Sequence, residues 1–233
     1  MIRGTNSKVQ KRSSHFKVRR RRGSYLGITG KYPSPQNRHC LFYESFRERD
    51  LIVWLAFDPT VEAVEDHPFK IEYIDAGRNR GYTPDLLIRF KPSARRRPLL
   101  VEVKTEAELE RSGKKFEPAF RAARAYCQAH NMKFEVVTEK VLPRPRLRNL
   151  RFLFPYRLEV PEPDLGKQLK RLGADGPKTL RNVVDSMSGE NYEVGDVVAA
   201  VWHLAALQVV EVDLDTPLSM NSRMEAKSWS TKI

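Results

Sequence analysis

Two apolar runs lying close together, each marked by an acid at a telling position, constrain this chain more than anything else in it. They read Tyr82-Thr83-Pro84-Asp85-Leu86-Leu87-Ile88-Arg89-Phe90 and, after a basic turn, Leu99-Leu100-Val101-Glu102-Val103-Lys104-Thr105. Short runs rich in Leu, Ile and Val, bounded by proline and polar residues, predict two strands. Residues i and i+2 of a strand share a face, so Glu102 and Lys104 project together while Val101 and Val103 turn into the core. A carboxylate and an ammonium in the middle of an apolar strand are costly unless they pair or bind something.

The segments around these strands predict a mixed α/β sheet with flanking helices. Between His39 and Phe57, apolar residues recur at helical spacing (Leu41, Phe42, Phe46, Leu51, Ile52, Leu55, Ala56), and Pro59 stops the run. Glu44, Glu48 and Asp50 fall among the polar positions of that helix. Glu44 borders the apolar stripe, so it either faces inward or is a solvated glutamate in an intrahelical pair. Val61 to Ile74 reads as two short strands around His67-Pro68, and His67 is either a ligand or a structural turn residue. Asp75 to Gly81 reads as a turn, Phe116 to His130 as a helix and Phe134 to Thr138 as a strand.

From Arg144 to Pro163 prolines and arginines punctuate the text, which places a domain boundary near residue 160. Beyond it come helical stretches at Asp164–Leu172, Pro177–Met187 and Val194–Leu207, then a strand over Val209–Leu214 and a turn at Asp215-Thr216-Pro217. Three helices followed by a hairpin predict a small winged-helix domain over 161–233. The organisation is thus a basic arm (1–38), a mixed α/β domain (39–160) and this C-terminal domain (161–233).

Charge defines the arm. The chain carries +13, and residues 1–38 hold eleven Lys and Arg with no acid, against 31 basic and 29 acidic residues in the remainder. Such an arm either seeks phosphate through counterion release or serves as a solubilising tail. Within it Arg19, Arg20, Arg21 and Arg22 form an unbroken run, and Arg95, Arg96 and Arg97 form a second at the turn between the two strands. Both are candidate DNA-backbone contacts, the second equally readable as a solvated hairpin tip. No stretch approaches the ~18 apolar residues of a membrane span, no apolar signal segment opens the chain, and Cys40 and Cys127 make neither a disulfide framework nor a zinc site. These features fit a reducing cytoplasm.

Two carboxylates on adjacent strands can hold a hard divalent cation such as Mg²⁺ (or Mn²⁺) while leaving positions for water and phosphate. A neighbouring lysine can orient water or neutralise developing charge. Asp85, Glu102 and Lys104 therefore supply the parts for metal-assisted phosphodiester hydrolysis, whereas an acid at a turn and a Glu–Lys pair on an exposed strand is the structural alternative.

Pro84-Asp85 followed by Glu102-Val103-Lys104 resembles the PD-(D/E)xK signature of restriction-endonuclease-like nucleases. Tyr43-Glu44-Ser45, Phe57-Asp58-Pro59-Thr60-Val61 and Tyr82-Thr83-Pro84-Asp85 more narrowly resemble the TnsA family, endonuclease subunits of Tn7-type heteromeric transposases, over roughly residues 38–140. The resemblance implies a restriction-endonuclease-like fold, with Asp85 and Glu102 as metal ligands and Lys104 as the catalytic lysine. It also implies that Glu44, at the position of the family's helix-borne Glu-Ser glutamate, completes the site. It further implies Mg²⁺-dependent cutting of DNA at transposon ends beside a DDE-type transposase, and an AAA+ ATPase regulator as a partner. A stand-alone restriction-like or junction-resolving nuclease and a non-catalytic winged-helix DNA-binding protein are the other readings.

Overall fold

The structure, a computed structural model, describes residues 29–226 apart from 38, 175 and 190. The arm through residue 28, including Arg19, Arg20, Arg21 and Arg22, lies outside the described residues. The chain divides into two compact units, one ending at Leu142 and the other beginning at Pro143.

In the first unit a small ribbon pairs β1 (Gly30–Tyr32) with β2 (Leu41–Tyr43). Then follow α1 (Phe46–Ala56), β3 (Val61–Asp66), a hairpin of β4 (Ile71–Asp75) and β5 (Arg78–Tyr82), β6 (Leu86–Phe90), β7 (Leu99–Val103), α2 (Glu106–Ala129) and β8 (Lys133–Val137). The main sheet has the order β3-β6-β7-β8. Its first three strands pair antiparallel and β8 joins β7 in parallel. A mixed sheet with helices of this kind is consistent with the expected restriction-endonuclease-like architecture.

All five residues of β7 are buried, as are Leu86, Leu87 and Ile88 of β6, so both faces of the central pair are covered. That explains why these strands read as continuous apolar runs rather than alternating ones. On one face Leu87 and Leu100 form a cluster with Ile71, Ala123 and Cys127, against which Phe69, Tyr82, Tyr126 and Phe134 pack.

Several local expectations are revised. The helix expected from His39 begins at Phe46, because Leu41–Tyr43 is extended and Ser45 is the N-cap. Within Asp75 to Gly81, expected to be a turn, begins the strand Arg78–Tyr82, which pairs with β4. Ala76 and Gly77, with φ of 46° and 74°, make the two-residue hairpin turn. The strand was hidden because a largely exposed ribbon carries no hydrophobic alternation. The helix expected from Phe116 starts ten residues earlier, after Thr105, whose hydroxyl caps Glu108 N–H while Glu108 reaches back to the Thr105 N–H.

The second unit contains α3 (Arg144–Leu153), α4 (Pro163–Ala174), β9 (Lys178–Thr179), α5 (Leu180–Met187), α6 (Val194–Ala206), β10 (Val210–Val212) and β11 (Arg223–Ala226). Its strands form an antiparallel sheet of order β10-β11-β9. Arg144–Leu153, in the proline- and arginine-punctuated stretch that places the expected boundary near residue 160, is helix α3 and falls in the second unit. Leu147, Leu150 and Leu153 are buried, and Asn149 donates to the carbonyls of Leu214 (2.8 Å) and Thr216 (2.7 Å). Prolines at 143 and 145 sit at the helix start, where a missing N–H costs nothing.

Candidate active site

Asp85 stands at the head of β6, tied to its neighbours at three points. Its N–H donates to the Val101 carbonyl (3.1 Å) and its own carbonyl accepts from His67 N–H (2.8 Å). Its Oδ2 accepts from Val103 N–H (2.7 Å), which brings the carboxylate beside the residue next to it on β7, Glu102.

Glu102 is buried, and both of its oxygens are engaged. Lys104 Nζ donates to Oε1 at 2.5 Å and Tyr82 Oη donates to Oε2 at 2.6 Å. Glu102 and Lys104 thus share a face across the end of β7, as alternation requires, and Lys104 Nζ also lies 5.5 Å from the Phe116 ring centroid. Tyr82 is a member of the site that sequence reasoning passed over. Its hydroxyl finds the acceptor that a half-buried tyrosine needs.

The family resemblance implies a site role for Glu44, which spacing leaves either inward-facing or solvated, while Glu48 reads only as one of the helix's polar positions. Glu44 is exposed and precedes the N-cap, and its contribution to the local bonding is a backbone N–H donated to Glu48 Oε2 (2.7 Å). Glu48 is buried in the first turn of α1, where Ser45 Oγ accepts from its N–H (3.2 Å) and donates to its Oε1 (2.8 Å). A recognisable signal was present in Ser45-x-x-Glu48, a capping-box pattern that starts the helix at Ser45 and holds Glu48 in its first turn.

One ligand atom each from Glu48, His67 and Asp85 lies within 4.8 Å of the others. Three segments far apart in sequence converge here: the first turn of α1, the loop after β3 and the head of β6. The electrostatics reflect the crowding. Burial, then the Glu102 and Glu48 carboxylates, push Asp85 up to about 7 against the pull of Lys104 and the Val103 N–H. Burial also raises Glu48, partly opposed by the Glu44 N–H and the Ser45 hydroxyl. His67 is raised by Asp66 first, against burial, and further by Asp85, Glu44 and Glu48. Burial pulls the Lys104 ammonium down, but Glu102 and Asp85 outweigh it and hold it above its ordinary value. Burial and Glu102 raise the Tyr82 hydroxyl, which keeps it a donor. Three carboxylates facing one ammonium leave negative charge that a cation would relieve, so this donor set fits a divalent metal.

Arg95, Arg96 and Arg97 are not part of this convergence. They follow Phe90 and precede Leu99, at the opposite end of β6 and β7 from Asp85 and Glu102, about 17 Å along the strand. There they line a cleft of ≈ 290 Å³ with Phe90, Leu99, Lys133 and Glu135. The Arg96 guanidinium stacks 3.8 Å above the Phe90 ring.

No helix among the described residues is long and apolar enough to cross a membrane. None of the curated proteins matches the chain. Residues 58–139 match the family described as TnsA-like endonuclease N terminal, a stretch that spans the main sheet, the hairpin and α2 together with Asp85, Glu102 and Lys104. By that match the first unit of this chain carries a TnsA-like endonuclease domain.

Proposed function

We propose that the protein is a metal-dependent DNA endonuclease that cuts phosphodiester bonds at transposon ends within a Tn7-type transposase. The observation that carries this reading is the convergence of Glu48, Asp85, Glu102 and Lys104 at one end of the sheet, in a domain matched as TnsA-like. Asp85 and Glu102, with Glu48, would hold the cation. Bound there, Mg²⁺ or Mn²⁺ supplies Lewis-acid polarisation of the phosphate and a more acidic water. Lys104 keeps its proton beside Glu102 and presents positive charge where the phosphate gains negative charge. Tyr82 fixes the second Glu102 oxygen, so the carboxylate keeps one orientation.

DNA is held, on this reading, by the arm's eleven basic residues and by the cleft of Arg95, Arg96 and Arg97. The second unit is read as winged-helix-like, supported by its order of two helices, short strand, two helices and hairpin closing a three-stranded antiparallel sheet. It and the endonuclease domain would meet a DDE-type transposase and an AAA+ regulator.

The test is nicking of supercoiled DNA with Mg²⁺ by Asp85→Ala and Glu102→Ala, with DNA binding measured alongside. Nicking should fall by on the order of 100-fold or more while salt-sensitive binding persists. Variants that nick as well as the parent would overturn the assignment.

A further inference from the structure

His67 carries chemistry that the acids and lysine do not. We propose that its imidazole is a ligand of the same cation as Glu48 and Asp85. The site then binds a first-row transition ion that accepts nitrogen as well as oxygen donors, such as Mn²⁺, in preference to Mg²⁺. This rests on the reading of Glu48 and Asp85 as metal ligands.

Geometry argues for it at several points. The ring contributes a nitrogen to the group whose ligand atoms lie within 4.8 Å of one another. It is held there by an uncommon backbone conformation. His67 has φ of 44°, in the left-handed region that a non-glycine residue seldom occupies. That conformation is locked in by the ligand residue itself, since the His67 N–H donates to the Asp85 carbonyl at 2.8 Å. Pro68 follows and narrows the backbone further. One fold feature thus sets the positions of both the carboxylate and the imidazole.

The ring's other side is also supported. Asp66 Oδ2 lies 3.7 Å from His67 Nδ1, and the Phe42 ring sits at 6.4 Å, tilted by 52°. A carboxylate facing Nδ1 is the outer partner that metal-bound histidines commonly have, and it leaves Nε2 with its lone pair. The side chain is 21% exposed, which leaves room for waters or a phosphate oxygen beside it.

Replacing an all-oxygen donor set by one with an imidazole changes which ion is preferred. Mg²⁺ demands oxygen and keeps its waters, whereas imidazole suits the first-row transition ions. Mn²⁺ accepts both donor types, so it gains a bond here that Mg²⁺ makes poorly.

The experiment uses the full chain and the two metals alone. Mn²⁺ and Mg²⁺ Kd values are measured by titration calorimetry for the parent, His67→Asn, Asp85→Asn and Glu48→Gln. Pulsed EPR of the Mn²⁺-loaded proteins detects a coordinated ¹⁴N. Asparagine tolerates the left-handed backbone, so His67→Asn removes the nitrogen ligand with little risk to folding. The expected result is a ¹⁴N coupling in the parent that disappears in His67→Asn, with the Mn²⁺ to Mg²⁺ preference falling about tenfold or more. Absence of the coupling in the parent, or an unchanged preference in His67→Asn, would overturn the role of His67. If Asp85→Asn and Glu48→Gln still abolish binding in that case, the acidic site stands without it. If those two variants bind Mn²⁺ as tightly as the parent, the metal site itself is refuted, and His67 with it.

Discussion

Replacing Asp85 by Asn should stabilise the metal-free protein, and by an amount that depends on pH in a defined direction. Asp85 is raised from an ordinary 3.8 to about 7 by burial and by the carboxylates of Glu102 and Glu48. A carboxyl raised in the folded state binds protons more tightly there than in the unfolded chain. Its stability contribution is therefore fully present below about pH 4, is lost as pH rises through about 7, and stays lost above that. The whole interval corresponds to roughly 4 kcal/mol. Asp85 is only half-buried, so solvent screens part of this, and about 2 kcal/mol is the expected working figure at pH 8. Asparagine keeps an oxygen to accept the Val103 N–H and carries no charge to desolvate. The assay is urea denaturation in chelator at pH 4, 6, 7 and 8, with amide exchange of peptides from 86–103 reporting the domain that contains the site. The gain of Asp85→Asn over the parent should be near zero at pH 4 and about 2 kcal/mol at pH 8. Saturating Mn²⁺ should then stabilise the parent by about 3 kcal/mol at 100 times Kd, and the variant far less. A difference that is flat with pH, or a variant less stable than the parent at pH 8, would refute the crowded-carboxylate account.

The two glutamates near α1 separate cleanly: Glu48→Gln should lose on the order of 100-fold in metal affinity and nicking, while Glu44→Gln, exposed and contributing its backbone N–H, should match the parent in both. Tyr82→Phe removes a part-buried hydrogen bond to a charged group and should cost about 1.5–3 kcal/mol by urea denaturation, together with slower nicking. Leu100→Ala, at a fully buried position between β6 and β8, should cost about 2–5 kcal/mol. Replacing Arg95, Arg96 and Arg97 together by Ala should flatten the salt dependence of DNA binding by up to about 3 in the log–log slope. Nicking should be spared once DNA is saturating; an unchanged slope would remove the cleft from the DNA path.

The sequence by itself determined the chemistry-bearing pair of strands. Continuous apolar runs required both faces of β6 and β7 to be covered, and two-residue alternation alone put Glu102 and Lys104 on one face. Local caps were legible too: Thr105-x-x-Glu108 and Ser45-x-x-Glu48 mark where α2 and α1 begin, although apolar spacing pointed elsewhere. Polar stretches were less legible. The exposed ribbon at Arg78–Tyr82 and the arginine-rich helix α3 are set by pairing and by packing within their own units, neither of which leaves a clear periodic mark. Only the tertiary structure decided which glutamate lies beside Asp85. Glu48 lies close to His67 and Asp85 while Glu44 is exposed, because Ser45, rather than an earlier residue, starts the helix, and one turn separates the two carboxylates. His67 and the Arg95–Arg97 run were likewise decided in three dimensions, the first brought to Asp85 by a backbone hydrogen bond and the second left at the far end of the same strands. Periodicity reports which face a side chain occupies within its own element. The distance between two elements depends on register and loop path, and so on contacts far apart in the chain.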